Sequence, residues 1–241
     1  MPNYVLLLSF VGTYFHGWQV QPGLRTVQGT LKESLEKVFQ EPIKLTGCCR
    51  TDSGVHAKEY IANFQASRDI KNEVLLKALN SMLPNDIGIK KVWQEEGFNA
   101  RYSVKGKVYL YRIFNSFSRD PFLEPFYWRI PYKLDYKRML SAVELFLGTH
   151  DFSSFAKLEE EEKNTFINIE DVSLCREGEL IEFRIKARNF LRYMVRRIVG
   201  SLIYVGLGKL KVEDIKHYLE GRGKCPYTAK AKGLTLERVI L

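Results

Sequence analysis

The spacing of apolar residues changes in a regular order along the first hundred positions. Val27, Leu31 and Leu35 recur at intervals of four, which is typical of the buried face of an amphipathic helix. Short runs rich in apolar and aromatic residues predict strands before and after such helices. The resulting order of strand, helix, strand, strand, helix and strand covers residues 4–11, 27–39, 43–48, 59–65, 72–83 and 87–93.

The remaining residues repeat this order. Asp135 is a suitable N-cap for a helix whose apolar face continues to Leu147, and a long helix is predicted from Phe190 to about Tyr204. A short additional helix is predicted over residues 212–219. The predicted strands of this half cover residues 107–114, 166–175, 180–187 and 234–240.

Two copies of a split βαβ order predict an α+β protein built from two ferredoxin-like βαββαβ halves. We expect antiparallel sheets in both halves, which would flank a central basic cleft. The first half is assigned to residues 1–103 and carries a candidate catalytic loop around Asp52. The second half is assigned to residues 104–241 and carries a basic helix.

Basic residues outnumber acidic ones, with 37 Lys+Arg against 28 Asp+Glu and a formal net charge of +9. This excess favours an anionic partner, nucleic acid first, although a basic surface can also serve solubility alone. The four cysteines and four histidines lack metal-ligand spacing, which predicts reduced thiols in a cytosolic protein without a bound metal. The acidic run at residues 159–162 is interpreted as a solvated loop face.

The central hairpins of the two halves differ. The second is tight around Glu177 and Gly178, whereas the first is expanded into the sequence Cys-Arg-Thr-Asp-Ser-Gly-Val-His-Ala over residues 49–57. An enlarged loop on a rigid scaffold is a common place for a functional site. Its carboxylate, Asp52, is either a reactive group next to Arg50 or only a cap for its own turn.

Positive charge is concentrated in the second half. Arg192 and Arg196 are four residues apart and would share one face of the predicted helix. This segment is either a phosphate-binding wall, with one arginine turned towards Asp52 to keep it ionised, or a solvated helix flank. The basic residues concerned are Arg184, Lys186, Arg188, Arg192, Arg196 and Arg197.

Aromatic residues are interleaved with basic ones on the strand that begins at residue 107. Tyr109 and Tyr111 follow Lys105 and Lys107 closely. Aromatic side chains stack on unpaired bases and lysines contact phosphates, although the same tyrosines could belong to the strand core. The chain lacks a complete phosphate-loop motif, a nucleophile elbow and a paired carboxylate at the Asp52 loop. Chemistry is therefore expected to depend on one aspartate, arginines and an aromatic residue, without a cofactor.

The sequence Arg-Thr-Asp-Ser-Gly-Val-His-Ala at residues 50–57 closely resembles the signature of tRNA pseudouridine synthases of the TruA type. The resemblance spans essentially the whole chain. One departure is Cys49, where the family more usually has glycine. Five further blocks match in order, at residues 12–19, 98–103, 148–155, 190–200 and 231–234.

The resemblance implies the pseudouridine synthase fold and isomerisation of uridine to pseudouridine in tRNA, at nucleotides 38, 39 and 40 of the anticodon stem-loop. It also implies a homodimer, and it agrees with the cytoplasmic location and the cofactor-free chemistry expected above. The implied catalytic residues are Asp52, Arg50, Tyr109 and Arg196. The candidate substrate-binding residues come from the basic and aromatic segments and the Asp52 loop described above, and are Tyr109, Arg192, Arg197, Lys105, Lys107 and His56.

Two other functions fit the same fold. One is an RNA-binding protein without turnover, although binding alone does not require a reactive carboxylate. The other is an N-glycosidic hydrolase that releases the base and stops there. The route within the isomerase also stays open, since Asp52 could attack C1′ of the ribose or abstract a ribose proton to form a glycal.

Overall fold

The structure is a computed structural model that describes residues 1–158 and 164–241. The chain forms two compact units. Residues Met1–Lys105 and Thr235–Leu241 make up the first, and Gly106–Leu234 make up the second. The predicted acidic loop face at residues 159–162 lies outside the described residues.

The first unit has an antiparallel sheet in the order β4-β1-β3, and β2 lies along the other edge of β3. This is the strand order and direction of a ferredoxin-like βαββαβ unit, as predicted. Its elements are β1 (Asn3–Phe10), α1 (Val27–Phe39), β2 (Thr46–Gly47), β3 (His56–Gln65), α2 (Asn72–Met82) and β4 (Ile87–Gln94).

Helix α1 begins where Thr26 accepts a hydrogen bond from the Gly29 N–H group through its side chain. Its buried face packs on the sheet, and the Phe39 ring lies 5.5 Å from the ring of Tyr4 and 5.4 Å from that of Phe64. The spacing of three and four in the sequence therefore does describe the core face of this helix.

The second unit has an antiparallel sheet in the order β5-β9-β8-β7, with the short β6 along β5. Asp135 caps α3 as predicted, because its side chain accepts a hydrogen bond from the Arg138 N–H group. The elements are β5 (Gly106–Phe114), β6 (Trp128–Arg129), α3 (Tyr136–Val143), β7 (Gly148–Asp151), β8 (Phe166–Glu177), β9 (Leu180–Ala187), α4 (Met194–Gly206) and α5 (Val212–Leu219).

The last strand, β10 (Leu234–Ile240), differs from its expected assignment to the second half. Thr235 and Leu236 pair in parallel with His56 and Ala57 of β3, and nearly all of the strand belongs to the first unit. A side chain of β3 adds a further bond, since Glu59 accepts from the Val239 N–H group at 3.2 Å. The mixed α+β fold is confirmed, and the last strand belongs to the first unit instead of the second.

Two further expectations need correction. The predicted strand over residues 43–48 is reduced to Thr46–Gly47, because Ile43 and Leu45 are buried as loop residues without pairing in a ladder. Helix α4 begins at Met194 rather than at Phe190. Arg192 therefore precedes the helix, and the prediction that it shares a helix face with Arg196 is wrong. Among the described residues, no helix has the length and hydropathy needed to cross a membrane.

Candidate active site

The loop that carries Asp52 is held by a second segment of the first unit, residues 12–18, which we call the clamp. The Gly12 N–H group donates to Nδ1 of His56 at 3.0 Å, and the Trp18 N–H group donates to the Thr51 carbonyl at 3.2 Å. The clamp therefore holds the loop at Thr51, immediately before Asp52, and at His56, four residues after it.

A third contact holds the tip of the loop. The carbonyl oxygen of Phe15 accepts hydrogen bonds from the Gly54 N–H group and the Ser53 hydroxyl, both at 3.2 Å. The turn itself closes through the main chain, since the Val55 N–H group donates to the Asp52 carbonyl at 3.2 Å. Gly54 has a φ of 78°, a conformation that favours glycine.

Two glycines allow the clamp and the loop to approach backbone to backbone. A Cβ atom on Gly12 would lie 1.9 Å from the Val55 carbonyl oxygen. One on Gly17, which has a φ of 85°, would lie 2.4 Å from the Thr51 carbonyl oxygen. Any other residue at either position would push the Asp52 loop away.

The outer side of the clamp is held by Arg25. Its guanidinium lies 4.0 Å from the centre of the Phe15 ring and donates two hydrogen bonds of 2.9 Å to the Asp86 carboxylate. The Arg25 side chain is partly exposed, so the ion pair is of modest strength. It nevertheless fixes the residue whose carbonyl oxygen holds the Asp52 turn.

The base of the loop rests on aromatic side chains. Trp18 stacks on Tyr60 with ring centres 4.2 Å apart, and the Tyr60 hydroxyl donates to the Cys49 carbonyl. Gly47 makes room for both rings, because a Cβ atom there would lie 2.6 Å from the Trp18 ring. Cys49, where the family more usually has glycine, therefore helps to hold the loop through its main-chain carbonyl.

The sequence-predicted residues of the first unit have different exposures. Arg50 is exposed and Asp52 is half-buried, so both can meet a ligand. His56 is buried and uses Nδ1 as an acceptor, which leaves the proton of a neutral imidazole on Nε2. Lys105 is exposed at the end of this unit. The hydrogen bond between Gly12 and His56 supports the loop. A contact between His56 and the substrate stays a prediction.

In the second unit, Tyr109 and Lys107 lie on β5. The Tyr109 ring is 7% exposed and meets Phe190 edge to face with ring centres 5.0 Å apart. Lys107 is also buried, with Nζ 3.4 Å from the Arg188 carbonyl oxygen. Tyr111 is a core residue. The strand core was one of the two alternatives considered for the tyrosines of this strand, the other being stacking on bases. Burial raises the pKa of the Tyr111 hydroxyl, which donates to the Lys230 carbonyl at 2.6 Å.

The arginines around the start of α4 are held to different degrees. Arg192 is exposed, whereas Arg196 is half-buried and donates from Nε to the Ala229 carbonyl at 2.8 Å. Arg197 is also half-buried and donates from Nη1 to the Ala156 carbonyl at 2.7 Å. Lys186, in the adjoining strand, pairs with the Glu170 carboxylate at 2.8 Å. Arg188 and Arg192 are the exposed members of the predicted basic set, so both can meet an anionic ligand at the surface.

Sequence reasoning missed the residues that hold the site. Arg25 and Tyr60 stabilise the Asp52 loop, and Tyr193 lies against the side chain of Arg196. The positions of Gly12 and Trp18, in a block that resembles a family motif, were a signal that this segment is functional. Their contact with a loop about forty residues away is a tertiary feature that no local pattern contains.

The comparisons with known proteins agree with this architecture. A family model described as tRNA pseudouridine synthase matches residues 7–103 and 142–240. The chain is 56% identical over 244 residues to tRNA pseudouridine synthase A of Aquifex aeolicus, with full coverage of both chains. It is 40% identical over 255 residues to the protein of the same name from Thermodesulfovibrio yellowstonii, again with full coverage of both.

A third relative, tRNA pseudouridine synthase A of Acetivibrio thermocellus, is 40% identical over 242 residues, with 99% of each chain covered. These matches and the family model extend over both units. The chain therefore belongs to the tRNA pseudouridine synthase family, in its TruA branch. It is an isomerase.

Proposed function

We propose that this protein converts uridine to pseudouridine at nucleotides 38, 39 and 40 in the anticodon stem-loop of tRNA. The N1–C1′ glycosidic bond of the uridine breaks and the base rejoins the ribose through C5. C5 releases its proton to solvent, and N1, which no longer carries the ribose, takes up a proton. The composition of the nucleotide is unchanged, so in this proposal the reaction is redox-neutral and uses no cofactor.

The observation that carries this proposal is the grip of the clamp on the Asp52 loop. A catalytic carboxylate must be held in a productive geometry, and the hydrogen bonds at Thr51, Ser53, Gly54 and His56 restrain the loop on both sides of Asp52. A loop that only connected two strands would not need such restraint. The RNA-binding protein without turnover explains this feature less well.

Asp52 acts as the nucleophile at C1′ or as the base that abstracts a ribose proton, and either role requires its ionised form beside a flipped-out nucleotide. Arg196 is assigned to the catalytic set on the family resemblance. Tyr109 stacks on the uracil and assists removal of the C5 proton. Arg50 orients the loop or contacts a phosphate.

The remaining residues bind the RNA backbone in this proposal. Exposure supports this role for Arg192 and Lys105, since phosphate contacts are made at the surface. Arg197, Lys107 and His56 are held by main-chain groups in the described structure. A direct contact with RNA is proposed for them only because they lie in the basic segments and the Asp52 loop of the sequence. The protein works as a homodimer in the cytoplasm.

The test is tritium release from tRNA labelled at C5 of uridine, with the native protein and the Asp52→Asn variant compared. We expect release and pseudouridine in the product for the native protein only, while both proteins bind tRNA equally, because asparagine keeps the shape of the side chain but loses its charge. Mapping of the modified nucleotides tests positions 38, 39 and 40.

Each alternative has its own outcome in this experiment. Binding without release from any tRNA would support the RNA-binding protein without turnover. Free uracil or an abasic nucleotide in the product would identify an N-glycosidic hydrolase. Full activity of Asp52→Asn would refute the assignment of Asp52 as nucleophile or base.

A further inference from the structure

Tyr193 has an unusual main-chain conformation just before α4. Its φ of 64° and ψ of −3° lie in the left-handed region, which an aromatic residue rarely adopts. Such strain persists only where the surroundings enforce it, and it is found preferentially at functional sites. In the described part of the chain, Gln40 is the other non-glycine residue with a positive φ, and it ends α1 in the ordinary way of a helix C-cap.

The conformation of Tyr193 directs the chain into the helix. The Met194 N–H group donates back to the Leu191 carbonyl at 3.1 Å, and the Tyr193 carbonyl accepts from the Arg197 N–H group at 2.9 Å. The left-handed residue therefore separates a tight turn from the first turn of α4. Glycine or asparagine would meet this main-chain requirement at lower cost than tyrosine, so the backbone alone does not explain the aromatic ring.

The ring of Tyr193 lies against two guanidinium groups. The Cζ atom of Arg196 is 5.1 Å from the ring centre, and that of Arg192 is 5.3 Å from it. Both distances are within the range in which a cation is attracted to the face of an aromatic ring. Tyr193 is only partly exposed, so this attraction is screened less than it would be on an open surface.

Arg196 is also held at its other side. Its Nε atom donates to the Ala229 carbonyl at 2.8 Å, while its own carbonyl accepts from the Ala229 N–H group at 2.9 Å. The Ala229 contact fixes the position of Nε, and the Tyr193 ring restricts rotation of the guanidinium plane around it. Both contacts restrict how the terminal nitrogens of Arg196 are presented.

We propose that Tyr193 is a positioning residue of the isomerase reaction, which holds the guanidinium of Arg196 in the orientation that its catalytic role requires. This inference rests on the proposed function, since it assumes the role of Arg196 given there. The strained backbone is retained because the turn at Tyr193 brings its ring over the side chain three residues later. The aromatic ring is required for the reaction, whereas the turn could form without it.

The experiment separates ring from backbone with two variants. Tyr193→Asn suits the left-handed conformation but removes the ring, and Tyr193→Phe keeps the ring. We expect kcat of Tyr193→Asn to fall about tenfold, with a melting temperature equal to or above that of the native protein. Tyr193→Phe should restore most of the turnover. Gln40→Asn is the matched control for a left-handed position, and its kcat should equal that of the native protein.

A spectroscopic measurement reports on the contact independently of turnover. In protein with isotope-labelled arginine, the Nε–H signal of Arg196 is assigned by its loss in Arg196→Lys. Because the Tyr193 ring current acts on this group, we expect the signal to shift in Tyr193→Asn and to stay close to its native position in Tyr193→Phe.

Three outcomes would overturn the proposal. They are native kcat in Tyr193→Asn, an Arg196 Nε–H signal that does not move in that variant, and a loss of melting temperature that parallels the loss of activity. Failure of the proposed function is recognised separately, because the native protein itself would then release no tritium while the Arg196 signal still reported the ring contact. In that case the contact would stand and its catalytic role would be refuted.

Discussion

The closest main-chain approach at the site leads to a prediction for Gly12→Ala. A Cβ atom on Gly12 would lie 1.9 Å from the Val55 carbonyl oxygen, whereas ordinary van der Waals contact begins at 3.4 Å. The two segments must therefore separate by about 1.5 Å. No side-chain rotation can relieve this overlap, since the atom met by the new methyl group belongs to the main chain.

The displaced segment is the one that carries the proposed catalytic carboxylate. Val55 is three residues after Asp52, and its N–H group closes the Asp52 turn. A misplacement of about 1 Å in an active site can lower the rate on the order of a hundredfold. Overpacking of this kind also lowers the free energy of unfolding by about 1–3 kcal/mol. We expect kcat of Gly12→Ala to fall about a hundredfold, while the protein still folds.

The assay is single-turnover tritium release from C5-labelled tRNA, with the melting temperature measured on the same preparations. Gly88→Ala is the matched control, because a Cβ atom there would meet only the Ser9 hydroxyl at 3.8 Å, and its kcat should be that of the native protein. If Gly12→Ala turned over at the native rate, the clamp would not set the position of Asp52, and the reasoning from this contact would be refuted.

Four further predictions follow from other contacts. Arg192→Ala should reduce the dependence of log K on log salt for tRNA binding by about 1, and an unchanged slope would make this exposed arginine irrelevant to phosphates. Tyr111→Phe removes the donor to the Lys230 carbonyl, so unfolding should become about 1 kcal/mol easier, and an unaltered melting temperature would contradict this. Burial raises the pKa of the Cys225 thiol to about 11, so at pH 8 it should react with iodoacetamide far more slowly than the exposed Cys175; equal labelling rates by mass spectrometry would argue against it. Chelation of divalent ions should leave turnover of prefolded tRNA intact, and an absolute requirement for one metal would contradict the cofactor-free reaction.

Several elements could be predicted from the sequence because their cause is local. The helix at Val27–Phe39 and the strand at Leu180–Ala187 have the bounds that their apolar spacing indicated. The short helix at Val212–Leu219 does too. In each of these, neighbouring residues along the chain contain both the hydrophobic face and the turn or capping signals that end it.

The start of α4 shows where such local patterns are insufficient. Apolar spacing continues back to Phe190, so it predicts a longer helix than the one that begins at Met194. The left-handed conformation of Tyr193 keeps the helix from starting before Met194, and a tyrosine gives no sequence signal for that conformation. The turn is set by contacts with distant residues, such as the bond between the Arg192 carbonyl and the Lys157 N–H group.

The sequence by itself determined the two-fold repeat of elements, the basic charge and the choice of Asp52 as the candidate reactive group, since these depend on composition and on short motifs. The tertiary structure alone decided which strand belongs to which unit and how the Asp52 loop is held. It pairs β10 with β3 and brings the glycines of the clamp against Thr51 and Val55. The physical reason is that strand pairing and backbone-to-backbone approach join residues tens to hundreds of positions apart. Such contacts depend on how the whole chain buries its apolar surface, and no local pattern specifies them.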